Sequence, residues 1–253
     1  MLLAVDAGNT NLTLGLFRGE RLAALGRVET HPPRGAFQAR AVAAFARRRA
    51  GPRLSGFVFA TVVPALRPVL LAAGRLLGQK PLEVGPGTPL GLKLAVRRPS
   101  QVGADRVLNA LAARELCGLP AVVVDFGTAT TFDCLSRRGE YLGGAILPGP
   151  RLAAKALALH TAKLPEVRIV PTRRVIGKDT VECIQAGLYW GYLGMIERVL
   201  KESLREMRTP EARVILTGGL APLFAKRLPG AKHVPDLTLQ GLRLAYERQV
   251  TKC

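Results

Sequence analysis

Histidine and cysteine are scarce in this chain. There are three histidines (His31, His160, His233) and four cysteines (Cys117, Cys134, Cys183, Cys253). No two cysteines form a C-x-x-C pair and the histidines lack metal-ligand spacing. Neither a zinc site nor a disulfide framework is indicated, and free thiols are expected. No apolar run approaches the roughly 18–20 residues that cross a bilayer. The opening Met1-Leu2-Leu3-Ala4-Val5 is stopped at once by Asp6, lacks a basic leader and is too short for a secretion signal. It reads as a buried first strand, and a cytoplasmic protein without a membrane partner is expected. Low-complexity tracts and Pro/Gly linkers are also missing.

Acidic residues are few. Lys and Arg number 37 against 18 Asp and Glu, a formal net charge of +19. Such a field attracts anions, nucleic acid among them. The basic residues are scattered, however. The one dense run, Arg47-Arg48-Arg49, falls at the end of an apparent helix, where positive charge is favourable anyway. Arginine-rich composition bias together with an anionic substrate accounts for the charge, and no specific nucleic acid partner is expected. Hydrophobic content of 48% and charged content of 22% are ordinary for a globular protein. The 253 residues suit one large domain or two lobes.

What is present is a coarse repeat. Leu2–Val5 reads as a strand, followed by Asp6-Ala7-Gly8-Asn9-Thr10-Asn11 and a hairpin of Leu12–Phe17 with Arg21–Val28. Ala121–Val124 reads as a strand, followed by Asp125-Phe126-Gly127-Thr128-Ala129-Thr130-Thr131 and a hairpin of Phe132–Leu135 with Tyr141–Leu147. Each half then alternates helix and strand. The first has helices near Ala36–Arg49 and Ala65–Leu77 around a strand at Phe57–Ala60. The second has helices near Arg151–Leu159 and Thr180–Met207, a strand at Arg213–Leu216 and two further helices. On the long helix Ile184, Leu188, Tyr192, Met195 and Val199 recur as an apolar stripe. The reading is α/β: two similar lobes, 1–116 and 117–253, with a cleft between them and a helix at Ala104–Leu116 beside it.

The repeated turn carries the chemistry. Asp-x-Gly after a strand can bring backbone amides and hydroxyl groups against a phosphate. A single copy is also a common turn signature. Two copies, each after a buried strand and before a hairpin, point to phosphate binding. Asp125, at the end of Val122-Val123-Val124, needs partners: a cation, or the hydroxyls of Thr128 and Thr130. Thr217-Gly218-Gly219 suits either an adenine or ribose lying on the backbone, or a plain strand-to-helix turn. Gly103-Ala104-Asp105-Arg106 precedes a helix. Arg106 can hold a carboxylate by two hydrogen bonds and Asp105 can accept a proton from a hydroxyl; an N-cap aspartate with a surface salt bridge reads equally well. Thr180 can cap the long helix or donate to a ligand. Gly187, Gly191 and Gly194 make a small-residue face for close packing, inside the lobe or against a second subunit.

Taken in order, Asp6–Asn11, Gly103–Arg106, Asp125–Thr131, Gly143-Gly144 and Gly177-Lys178-Asp179-Thr180 resemble the motif set of type III pantothenate kinases, over essentially the whole chain. The resemblance implies two actin-like (ribonuclease H-like) lobes with a nucleotide cleft. It implies that ATP, with Mg2+, binds through Asp6, Ala7, Gly8, Asn9, Thr10, Asn11, Leu12, Thr13 and Thr128. It implies that pantothenate binds through Gly103, Ala104, Asp105, Arg106 and Thr180, and that Asp105 is the proton acceptor. Asp125 resembles the ligand of a monovalent cation, potassium or ammonium, and family members are homodimers. The implied reaction is phosphorylation of pantothenate to 4'-phosphopantothenate, the first step towards coenzyme A. One departure stands out. Many relatives have a tyrosine seven residues before the motif glycine, where it touches pantothenate. Here that residue is Val96, and the lost hydroxyl is expected to weaken substrate binding or reshape the pocket. Two alternatives remain at this point: another small-molecule kinase or an exopolyphosphatase on the same fold, and a transcriptional accessory regulator related to these kinases.

Overall fold

The computed structural model describes residues 1–30, 35–85 and 87–250. They divide into two compact units, Met1–Ala112 with the chain from Asp236 onward, and Ala113–Pro235.

The first unit is built on strands β1 (Leu2–Ala7), β2 (Asn11–Arg18), β3 (Arg21–Glu29), β4 (Gly56–Thr61) and β5 (Leu82–Glu83). They lie in the order β3-β2-β1-β4-β5. β1 runs antiparallel to β2 and parallel to β4. The central strands read as continuous apolar runs because both faces are covered. The edge strand β3 alternates exposed and half-buried positions along its length. Helices α1 (Gly35–Ala50) and α2 (Arg67–Leu77) bury Val42, Ala46, Leu70 and Ala73 against Leu3, Val5, Leu12, Phe57 and Phe59. Arg47, Arg48 and Arg49 do end α1, where they complement the helix dipole. Helix α3 (Ala104–Leu116) follows a segment with little regular structure.

The second unit repeats the plan with β6 (Ala121–Phe126), β7 (Ala129–Leu135), β8 (Tyr141–Pro148), β9 (Arg213–Thr217) and β10 (Lys232–His233). The order β10-β9-β6-β7-β8 is the first sheet's order read from the other edge. Its helices are α4 (Pro150–Leu159), α5 (Thr180–Met207) and α6 (Ala221–Ala225). The expected α5 stripe is inside: Ile184, Leu188 and Tyr192 are buried, and Met195 and Val199 pack against the same core. Phe224 of α6 stacks on Phe126 at 5.1 Å and on Tyr189 at 5.8 Å. Truncating such a ring to alanine costs about 3–5 kcal/mol.

The last helix, α7 (Leu237–Val250), belongs with the first unit. Its Leu239 packs against β2 at Gly15, and Thr238 Oγ1 donates to Asn109 Oδ1 of α3 at 2.7 Å. The sequence reading drew one boundary near residue 116 and left the C-terminal helix with the second lobe. The chain instead returns to the first unit, whose β2 supplies an apolar face for Leu239.

Candidate active site

In the first unit, β1 carries Asp6 to its carboxyl end. The register sets Asp6 opposite Thr13 on β2 and Ala60 on β4, so the three side chains share a face. Gly8, Asn9 and Thr10 form the turn, with Asn9 and Thr10 exposed. Its backbone is pinned from within: Gly8 N donates to Asn11 O at 3.0 Å, and buried Thr30 donates its amide to Thr10 O at 3.0 Å and its hydroxyl to Gly8 O at 2.7 Å. Thr61 Oγ1 donates to Ala7 O at 3.2 Å. Among the described residues, a Cβ on Gly8 would meet Asn11 O alone, at an ordinary 3.5 Å. The described residues leave room for a side chain at position 8.

The Gly103–Arg106 segment opens α3, as the sequence suggested. Asp105 is not a side-chain N-cap. It lies inside the first turn, and its Oδ1 accepts from Arg106 N at 2.9 Å. The same oxygen is 2.5 Å from where a Cβ on Gly103 would stand, so the carboxylate folds back over the glycine. Negative charge there is favoured by the helix N-terminus. Asp105 and Arg106 are both half-buried.

In the second unit, β6 carries Asp125 to the matching position, half-buried, opposite Thr131 on β7 and Thr217 on β9. The alternative that Asp125 holds the Thr130 hydroxyl is corrected. Thr130 pairs with Phe126 on the opposite face of the sheet, and its buried Oγ1 has no hydrogen-bond partner among the described residues. The backbone closes on Asp125. Gly218 has φ +87°, and a Cβ there would lie 2.4 Å from Asp125 Oδ1 and 2.6 Å from the Phe126 backbone. Only glycine fits this cradle.

The turn Gly127-Thr128 is exposed and braced by the end of β8. Gly149 N donates to Thr128 O at 3.0 Å, and a Cβ on Gly149 would stand 2.3 Å from that oxygen and 2.6 Å from Gly127 O. Tyr192 of α5 donates its hydroxyl to Pro148 O. Burial pushes the Tyr192 hydroxyl above the usual tyrosine range, which keeps it a donor at neutral pH. Thr180 begins α5, but the cap is Asp179, whose Oδ1 accepts from Glu182 N at 2.8 Å; Glu182 Oε2 in turn accepts from Lys178 N at 2.8 Å. Thr180 is exposed and takes no part in that cap. The sequence reading missed Thr131, Asp133, Tyr141 and Gly149. Thr131 closes the Asp125–Thr131 motif but carries no role there, and nothing local in the sequence marks Asp133 or Tyr141.

The chain matches the family description "Type III pantothenate kinase" over residues 2–202. It is 45% identical over 253 residues to the type III pantothenate kinase of Moorella thermoacetica, covering 98% of this chain and 99% of that one. It is 46% identical over 255 residues to the enzyme of that name from Anaeromyxobacter dehalogenans strain 2CP-C, with the same coverage. Among solved structures, one from Campylobacter jejuni named for the Baf family of transcriptional activators aligns with TM-score 0.63 at 18% identity, over 98% of this chain and 99% of that one. A Sinorhizobium meliloti structure named as a 2-dehydro-3-deoxygalactonokinase aligns with TM-score 0.60 at 14% identity, over 98% of this chain and 99% of that one. These two likenesses show the fold, which is the actin-like α/β fold of sugar kinases. The full-length identity to curated relatives shows more: the chain belongs to the type III pantothenate kinase family.

Proposed function

We propose that this protein transfers the γ-phosphoryl group of ATP to the primary alcohol of pantothenate, giving 4'-phosphopantothenate for coenzyme A synthesis. One observation carries the reading: relatives bearing this name match 98% of the chain at 45–46% identity. The motif residues all lie within the matched length. Asp6, Ala7, Gly8, Asn9, Thr10, Asn11, Leu12, Thr13 and Thr128 are assigned to ATP, with Mg2+ on its phosphates. Gly103, Ala104, Asp105, Arg106 and Thr180 are assigned to pantothenate. The room at Gly8 supports its assignment, because packing among the described residues gives no reason for a glycine there.

Asp105 is assigned as the base that takes the proton of the alcohol, and Arg106 as the anchor of pantothenate's carboxylate. Phosphoryl transfer rests chiefly on positioning and electrostatics, with the base contributing a part.

Asp125 is assigned to a monovalent cation, potassium or ammonium. The residues fit one. The Gly218 cradle holds the backbone against a single carboxylate, with threonines on both flanks. Among the described residues no group of three or more His, Cys, Asp or Glu could hold a metal ion. An oxygen donor set of low charge suits a hard monovalent cation better than a transition metal. When bound, such a cation offsets the negative charge of carboxylate and phosphates. A homodimer in the cytoplasm completes the reading; among the described residues no helix is long and apolar enough to cross a membrane.

The regulator alternative has only the Campylobacter likeness behind it, which at 18% identity speaks to fold alone. A phosphate-transfer assay with pantothenate and a panel of sugars separates the readings. Turnover of pantothenate alone is expected. Equal turnover of a sugar, or of none, contradicts the proposal.

A further inference from the structure

The two sheets share one strand order, so they can be matched position by position. Across the acidic position the first sheet has Thr13, Asp6 and Ala60. The second has Thr131, Asp125 and Thr217. Two residues on from the first threonine of each row stand Gly15 and Asp133. Asp133 is fully buried; its Oδ1 accepts from the Tyr141 hydroxyl at 2.8 Å and its Oδ2 from the Thr131 hydroxyl at 3.3 Å. Tyr141 is buried as well, at 1% exposure.

A carboxylate in a sheet core is costly even when its oxygens accept hydrogen bonds, and apolar residues serve stability as well or better. The first sheet manages with glycine at this place. The second sheet's acid therefore has a reason other than folding. A threonine hydroxyl carries one proton and two lone pairs, whereas an ionised carboxylate only accepts. Thr131 must spend its proton on Asp133, which leaves its lone pairs for something else. The residue directly across the strand, on the same face, is Asp125.

We propose that Thr131 Oγ1 and the Asp125 carboxylate together ligate the monovalent cation, and that Asp133, held by Tyr141, is a positioning residue that turns the Thr131 lone pairs toward it. This rests on the assignment of a cation to Asp125, and it explains why the cation would choose Asp125 over Asp6. The first sheet has the matching Asp and Thr but a glycine, Gly15, where the second has Asp133.

The test is a potassium titration of the intact protein at constant ionic strength, balanced with tetramethylammonium. It is read by thermal melting without substrate and by initial rate. A ligand bound only by the folded state raises the melting temperature with concentration. Wild type should respond in both readouts. Thr131→Val should raise the potassium midpoint by about tenfold or more, as expected for a lost contact to a charged partner. Thr131→Ser should keep a midpoint close to wild type, and Tyr141→Phe should fall between. At saturating potassium the KM for pantothenate should be unchanged in all three. A wild-type midpoint in Thr131→Val overturns the inference. If that variant does not fold, a wild-type midpoint in Tyr141→Phe overturns the positioning role. The parent assignment fails separately: no potassium response in wild type, or an unaltered one in Asp125→Asn, removes the cation from Asp125 altogether.

Discussion

A side chain at position 149 would have to pass through the carbonyl of Thr128. The obstruction is backbone, not a movable side-chain tip, so the loop must shift to admit even a methyl group. Gly149→Ala is expected to raise the KM for ATP by about tenfold and to cost about 1–3 kcal/mol of stability, the range of overpacked sites. The KM for pantothenate at saturating ATP should move little. A variant with wild-type KM for ATP and wild-type melting would remove Gly149 as a brace for Thr128. In the sequence this residue is a glycine after a proline, a turn-like pair with no further signal. The same holds around Asp125, where the sequence offered a cation or the hydroxyls of Thr128 and Thr130 as partners and gave Thr131 no role. Neighbouring residues on a strand face opposite ways, so a one-residue error in register changes the partner completely. Asp133 and Tyr141 were silent because their contact depends on that register and on no local motif.

The helix that starts at Thr180 separates two roles which the sequence could not. A threonine at a helix start reads as a cap, yet Asp179 does the capping. Asp179→Ala should cost about 1 kcal/mol and lower the melting temperature by roughly 2–4 °C for a chain of this size. Thr180→Ala should leave melting unchanged and raise the KM for pantothenate. The reverse pattern would make Thr180 structural and withdraw it from the substrate. Most elements were plain in the sequence. The long helix and the Ala104–Leu116 helix have the expected limits because their apolar periodicity runs their full length. β5 and β10 were not seen, since two residues hold no period. The docking of α7 was missed because chain order says nothing of which sheet a terminal helix returns to.

At the scale of the molecule, Gly187, Gly191 and Gly194 lie exposed on α5, and among the described residues a Cβ at any of them would meet nothing within 4 Å. Each glycine in a helix costs roughly 0.5–1 kcal/mol relative to alanine, and no contact among the described residues requires it. That favours a partner surface, as proposed for the homodimer. Light scattering at micromolar concentration should give about twice 27.1 kDa, and Gly191→Arg should shift the mass toward one chain. A single-chain mass for wild type would contradict the dimer. The +19 charge is expected to give only weak duplex DNA binding that falls steeply with salt, because phosphate contacts alone would support it. Sequence-selective binding near physiological salt would revive the regulator alternative.

The central claim is that this fold phosphorylates pantothenate with Asp105 as the base. A carboxylate oxygen can take up the alcohol's proton as the bond to phosphorus forms. Asp105→Asn keeps the size and the hydrogen bond to Arg106 N but is not a competent base. The measurement is 31P NMR of ATP and pantothenate with magnesium and potassium, followed in time for wild type and Asp105→Asn, with binding of both substrates measured alongside. Wild type should convert ATP to ADP with matched growth of a new phosphomonoester signal. Asp105→Asn should bind both substrates nearly as well while the rate falls by about a hundredfold or more. ATP consumed without a phosphomonoester, or a variant rate within a few-fold of wild type, would contradict the account.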